Sequence, residues 1–127
     1  MIVDIHRYIA YSIPTGFAIL MFWSIFILVR NREPGGGYWN LLAVLQVVIG
    51  IQFIVGATLF LSGHRPDSNG PQWLHYVYGA FFPALVLGVA HNRARKTEGA
   101  PWLIFGIAAF LCFGLTFRAL QTGLGID

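Results

Sequence analysis

The stretch Tyr8–Val29 reads YIAYSIPTGFAILMFWSIFILV, and it decides the fold because it is apolar along its whole length and carries no charged residue. Three more apolar blocks follow in the chain, at 39–61, 74–90 and 102–124. A bilayer core of about 30 Å takes roughly 20 apolar helical residues. Across all 127 residues only 10% are charged, whereas soluble domains have about 25%. We therefore predict an all-α membrane protein with transmembrane spans at 8–29, 39–61, 73–91 and 102–124.

The loops between the blocks predict the topology. Because they are short, neighbouring spans run antiparallel, and residues 1–127 form a single four-helix bundle. The first and third loops hold most of the basic residues, namely Arg30, Arg32, Arg93, Arg95 and Lys96. The positive-inside rule then places these loops in the cytoplasm and both termini on the outer, periplasmic side of a bacterial inner membrane. The net charge of +3 is a topology signal on this interpretation, and we expect no nucleic-acid partner.

Two histidines stand at the start of the first and third blocks. His6 lies in the sequence Asp-Ile-His-Arg, and His75 lies in Trp-Leu-His-Tyr. In alternating spans both imidazoles lie at a similar depth near the outer face. Neutral imidazole is the commonest metal ligand in proteins, and a pair at matched depth suits an iron porphyrin. Gly79, one turn beyond His75, leaves room for a flat macrocycle. We predict one b-type heme with His6 and His75 as its axial ligands.

Two arginines are candidate partners for the anionic heme propionates. Arg7 follows His6 directly, and Arg118 lies about five residues before the end of the fourth block. A bidentate arginine–carboxylate pair is the strong form of such a contact. For Arg118 the alternative is a pair with an aspartate or with a lipid phosphate. His64 in the second loop is a further candidate for a propionate hydrogen bond.

The remaining polar residues of the spans leave several readings open. His91 lies at the cytoplasmic end of the third span without a second histidine nearby, which argues against two bis-histidine hemes in a monomer. A copper or zinc site built from His6, His64 and His75 stays possible. Gln46 and Gln52 need partners inside the bilayer, either a neighbouring helix or, less simply, a quinone carbonyl. The sequence holds no phosphate loop, nucleophile–base pair or paired carboxylates, so nothing points to hydrolysis or group transfer.

Three short motifs resemble one half of the heme A synthase family. They are His6-Arg7-Tyr8-Ile9-Ala10, then Leu45-Gln46-Val47-Val48-Ile49-Gly50, then Leu74-His75. Members of that family are built from two similar four-helix halves, each with a histidine pair near the outer face that can ligate a heme. The resemblance covers most of the chain and implies that His6 and His75 are the axial pair. The family carries a glutamate, tied to oxidation of the heme methyl group, three residues before the first histidine, where this chain has Val3. The resemblance therefore implies a heme-holding half-bundle rather than a synthase.

Three functions remain open at this point. The first is a membrane b-type cytochrome that transfers single electrons at the outer face, as a subunit of a larger respiratory or photosynthetic complex. The second is an accessory or structural subunit in the lipid bilayer that binds lipid or pigment, such as a chlorophyll on one histidine, and has no heme. The third is a half-sized synthase that acts as a homodimer. An electron-transfer or accessory subunit fits the residues better than a stand-alone enzyme.

Overall fold

The computed structural model describes residues 1–67 and 69–126, which form four long helices. These are α1 (Ile2–Arg30), α2 (Gly36–Leu61), α3 (Trp73–Lys96) and α4 (Pro101–Leu124). Each helix is long and apolar enough to cross a membrane. The predicted all-helical fold with four candidate spans is therefore confirmed.

All four helices extend beyond the apolar blocks that predicted them, α1 and α3 by the most. Helix α1 begins at Ile2 instead of Tyr8, and α3 continues to Lys96 instead of ending at residue 91. Helical hydrogen bonds continue past the apolar block of α3 because Arg and Lys are good helix formers, and in α1 they reach back to the Met1 carbonyl oxygen. As a consequence His6 lies inside the second turn of α1 and not ahead of the helix.

The helices are arranged around a central pair. Helix α1 packs against α2 and α4, and α4 packs in turn against α3. The core is made by apolar side chains of α1, α2 and α4, with Phe17, Leu45 and Cys112 among its most buried members. Gly16 of α1 lies directly against the Leu45 side chain, so the absence of a side chain there permits the close approach of α1 and α2.

A buried polar cluster joins three helices at one end of the bundle. The Tyr38 hydroxyl lies 2.8 Å from Ser24 Oγ and donates to the Trp102 carbonyl oxygen at 2.9 Å. Tyr38 is fully buried. We call this end, where α1 ends and α4 begins, the cluster end. The other end, where α1 begins at Ile2 and α4 ends at Leu124, is the terminal end.

Helix α3 changes its winding near the terminal end. Residues Val77–Phe81 form a π-helical segment between the α-helical segments Trp73–Tyr76 and Phe82–Lys96. Pro83 explains this locally, because proline has no N–H to donate and its ring clashes with the carbonyl four residues earlier, which belongs to Gly79. The wider π turn relieves that clash. A proline predicts an interruption of the helix that contains it, and at Pro83 the interruption takes the form of a π turn, a feature often found at functional sites.

Candidate cofactor site

The terminal end of the bundle encloses a large, mainly apolar cavity. All four helices and the loop after α2 line this cavity, whose volume is about 660 Å³. Volumes of about 300–1,000 Å³ are typical of pockets that hold small molecules and cofactors. Many of the lining residues are small, including Ala10, Gly56, Ala80 and Gly123. The helices therefore diverge at this end and leave space for a flat, apolar group.

His6 and His75 meet across this cavity. Their ring centres lie 6.2 Å apart, and the ring planes are inclined by 64°. A metal bound between two imidazole nitrogens at about 2.0–2.1 Å each separates the ring centres by about 6 Å, given ring bonds of about 1.33 Å. The distance between the two rings therefore fits a single metal ion between them. The sequence placed both histidines at one depth, and the structure brings them to one cavity.

His75 is held by two oxygen atoms of α4. Its Nδ1 lies 3.0 Å from the Ala119 carbonyl oxygen and 3.1 Å from Thr122 Oγ1. The Thr122 hydroxyl itself donates to the Ala119 carbonyl at 2.9 Å, so the proton between His75 and α4 belongs to Nδ1. The lone pair is then on Nε2, which makes no hydrogen bond to any described residue and stays accessible. Metal-binding histidines commonly donate their second nitrogen in this way.

His6 is positioned mainly by α2. The Gln52 side chain donates from Nε2 to the His6 carbonyl oxygen at 2.8 Å. One turn further along α2, a Cβ atom on Gly56 would lie 3.2 Å from Cε1 of the His6 ring. The ring therefore rests on the bare backbone of Gly56. The Nδ1 atom of His6 is buried and has no hydrogen-bond partner among the described residues.

Glycines also shape the side of the cavity formed by α3 and α4. A Cβ on Gly123 would lie 3.0 Å from Cε1 of His75, closer than ordinary contacts allow. Gly79 lines the cavity, as expected for a residue that leaves room for a macrocycle. A Cβ on Gly79 would also lie 3.3 Å from the Ala119 Cβ. Gly79 therefore permits the close approach of α3 and α4 in addition to opening the cavity.

The residues considered as propionate partners divide into those that line the cavity and one that does not. Arg7 lines the cavity together with His64, as the sequence suggested for propionate partners. Arg118 is turned away from the lining, and its guanidinium donates to Gln121 Oε1 at 3.3 Å. Arg65, which the sequence reasoning did not select, lines the cavity instead. Its guanidinium donates to the Phe60 and His64 carbonyl oxygens at 2.8 Å each.

The other polar residues of the spans have local partners. His91 Nε2 lies 3.0 Å from Gln46 Oε1, and its ring packs edge-on against Phe105 at 5.0 Å. Both intramembrane glutamines thus bond to a neighbouring helix, the simpler of the two expectations. Within residues 1–67 and 69–126 no group of three or more His, Cys, Asp or Glu side chains gathers at a possible metal site. His6, His64 and His75 therefore do not form a three-ligand copper or zinc site among these residues.

Comparison with known proteins gives no relative. No family model, curated protein or solved structure matches this chain. The likeness to half of a heme A synthase therefore remains a prediction from the three motifs.

Proposed function

We propose that this protein is a small membrane b-type cytochrome that holds one heme between His6 and His75 and transfers single electrons. The observation that carries the proposal is the 6.2 Å separation of the two rings across a mainly apolar cavity of about 660 Å³. The anchored Nδ1 of His75 supports it further, because that hydrogen bond leaves Nε2 free to bind a metal.

The number of available ligands favours a porphyrin over a bare ion. Structural zinc sites use four protein ligands, and catalytic zinc sites use three. Two imidazoles alone do not complete such a set. A porphyrin would bring four nitrogen ligands of its own, so His6 and His75 would complete the set, and its iron would supply one-electron chemistry. The residues of this chain supply the ligands, the apolar walls and the nearby positive charge.

The charges at the rim of the cavity suit the two propionates of a heme. Arg7 and Arg65 both line the cavity. Arginine binds carboxylates more specifically than lysine because its planar group donates in a fork. Arg118 stays a weaker candidate, since its guanidinium is engaged by Gln121 outside the lining.

Val3 bears on the choice between a cytochrome and an enzyme. It lines the cavity at the position where the heme A synthase family carries the glutamate linked to oxidation of the heme methyl group. An isopropyl side chain cannot accept a proton or bond a reacting group. The site resembles one that holds a heme and leaves it unmodified, which favours electron transfer over synthesis.

Membrane orientation and assembly complete the proposal. The basic residues of the loops after α1 and α3 favour a cytoplasmic position for the cluster end, which directs the heme and both termini to the periplasmic side of a bacterial inner membrane. Large apolar side chains on α2 and α3, such as Val47, Ile54, Phe81 and Leu85, are exposed in the isolated chain. Lipid covers such faces, and so would the neighbouring subunits of a larger respiratory or photosynthetic complex or a second copy of the chain.

An absorption spectrum of purified protein tests the proposal. We expect a reduced-minus-oxidised difference spectrum of heme b and a pyridine extract that contains protoheme. His75→Ala and His6→Ala should each remove the low-spin bis-histidine spectrum. His91→Ala is the matched control, because His91 lies at the cluster end beside Gln46. A colourless protein, or one that releases chlorophyll or lipid, would instead establish the accessory role.

A further inference from the structure

We propose that Gln52 is a positioning residue for His6, and that its single amide group holds both the main chain and the ring of this ligand. The inference rests on the proposed function, since it assigns His6 as an axial ligand. The inference also goes beyond the proposed function, because it names the group that determines which nitrogen of His6 faces the metal.

The Gln52 amide is half satisfied in the structure. Gln52 is only 9% exposed and lies in an apolar helix. Its Nε2 donates to the His6 carbonyl oxygen at 2.8 Å, which ties the amide to the first turns of α1. Its Oε1 is buried and has no partner among the described residues. A buried acceptor without a donor is destabilising, so a nearby donor is expected.

The complementary donor is the Nδ1 group of His6. This nitrogen is also buried without a partner in the described part of the chain. The Gln52 side chain already contacts the His6 main chain, and we infer that a rotation of the His6 ring brings the two unpaired atoms together. Gly56 sets the limit of the rotation, because its backbone supports the Cε1 edge of the ring.

The completed bond makes the two histidines equivalent. His75 directs Nδ1 to the Ala119 carbonyl oxygen, and His6 directs Nδ1 to the Gln52 side-chain oxygen. In both cases the proton would then be on Nδ1, which leaves the lone pair on Nε2 to bind a metal. Second partners of this kind orient a ligand and raise its basicity, and their loss typically reduces metal affinity about 10–100-fold.

Three variants of the purified holoprotein test this role. Gln52→Leu removes the acceptor, Gln52→Glu keeps an oxygen at the same place, and Gln46→Leu is the matched control on the same helix. The measurements are the rate of heme transfer to an excess of acceptor protein and the midpoint potential. We expect Gln52→Leu to lose about 10–100-fold in heme affinity and to raise the potential, because a less basic imidazole stabilises ferric iron less. Gln52→Glu loses the donor to the His6 carbonyl oxygen but keeps the acceptor for Nδ1, so it should lower the potential and lose less heme than Gln52→Leu, and Gln46→Leu should match the parent protein.

The outcomes separate this inference from the proposed function. A parent protein that binds no heme rejects the cytochrome. The role of Gln52 is then read from nitrogen chemical shifts of His6 in the heme-free protein, which should report the Nδ1–H tautomer in the parent and its loss in Gln52→Leu. A parent protein with a bis-histidine spectrum whose potential is unchanged in both Gln52 variants rejects the positioning role. Equal heme loss in both variants without a change in potential reduces Gln52 to a packing residue.

Discussion

On the proposed heme assignment, replacing Gly123 by alanine should change the affinity for heme without changing the stability of the protein. A Cβ at this position would lie 3.0 Å from Cε1 and 3.4 Å from Nδ1 of His75. Ordinary van der Waals contacts of a Cβ begin at about 3.4 Å, so the ring must retreat by a few tenths of an ångström. The retreat stretches the 3.0 Å bond from Nδ1 to the Ala119 carbonyl oxygen.

Two opposing effects of similar size act on the free energy of unfolding of the Gly123→Ala variant. Alanine is favoured over glycine in a helix by about 1 kcal/mol, and weakening one hydrogen bond costs about 1 kcal/mol. The free energy of unfolding should therefore change little. The affinity for heme is not restored by the gain in helix propensity, since the His75 ring must be held within about 0.5 Å of the position in which it binds the metal. We expect about a tenfold loss of heme affinity, equivalent to about 1.4 kcal/mol.

Gly114→Ala on the same helix is the control. A Cβ on Gly114 meets no atom within 4 Å, so this variant should gain helix stability of about 1 kcal/mol and keep the parent heme affinity. The assay combines heme transfer to an acceptor protein with thermal unfolding in detergent. If Gly123→Ala holds heme as tightly as Gly114→Ala, the ring of His75 is not set by its contact with α4, and the reasoning fails.

Two further predictions concern the cluster end and the rim of the cavity. Tyr38→Phe removes the hydroxyl that joins Ser24 to the Trp102 carbonyl. It should lower the free energy of unfolding by about 1–3 kcal/mol and leave the heme spectrum unchanged. A shifted spectrum would contradict the independence of the two ends of the bundle. Arg65→Gln should lower the midpoint potential, since loss of a positive charge near the propionates favours ferric iron, whereas Arg118→Gln should leave it unchanged. Redox titration distinguishes these results, and an equal shift in both variants would count against the assignment of Arg65.

The positions of the helices and the depth of the histidines were predictable because both follow from the linear pattern of polarity. Spans of known length that alternate in direction bring His6 and His75 to the same level without any knowledge of packing. The rotation of each helix about its axis is different. Successive residues of a helix are rotated by about 100° about its axis, so Ala119 lines the cavity whereas the preceding residue, Arg118, does not. The apolar sequence around the two residues does not indicate which of them faces inward.

Features that depend on local backbone geometry were also beyond the sequence pattern. Pro83 predicted an interruption of α3 but not the π turn at Val77–Phe81. Arg65 belongs to the loop after α2, and the path of that loop over the cavity is not encoded in any periodicity. The composition of the loop could have indicated Arg65, because it is the basic residue of the predicted outer loop, on the side where the heme was expected.

The two ends of the bundle have different physical tasks, and this difference explains how an open site can hold its ligands apart. Midway along α1 Gly16 admits the Leu45 side chain, and at the cluster end the Tyr38 hydroxyl ties three helices together. At the terminal end the same helices diverge around the cavity, and each histidine is supported by the helix next to its own. Helix α2 supports His6 and α4 supports His75. The separation of the two rings is therefore set at the terminal end by these local contacts, while the hydrogen bonds at the cluster end stabilise the bundle.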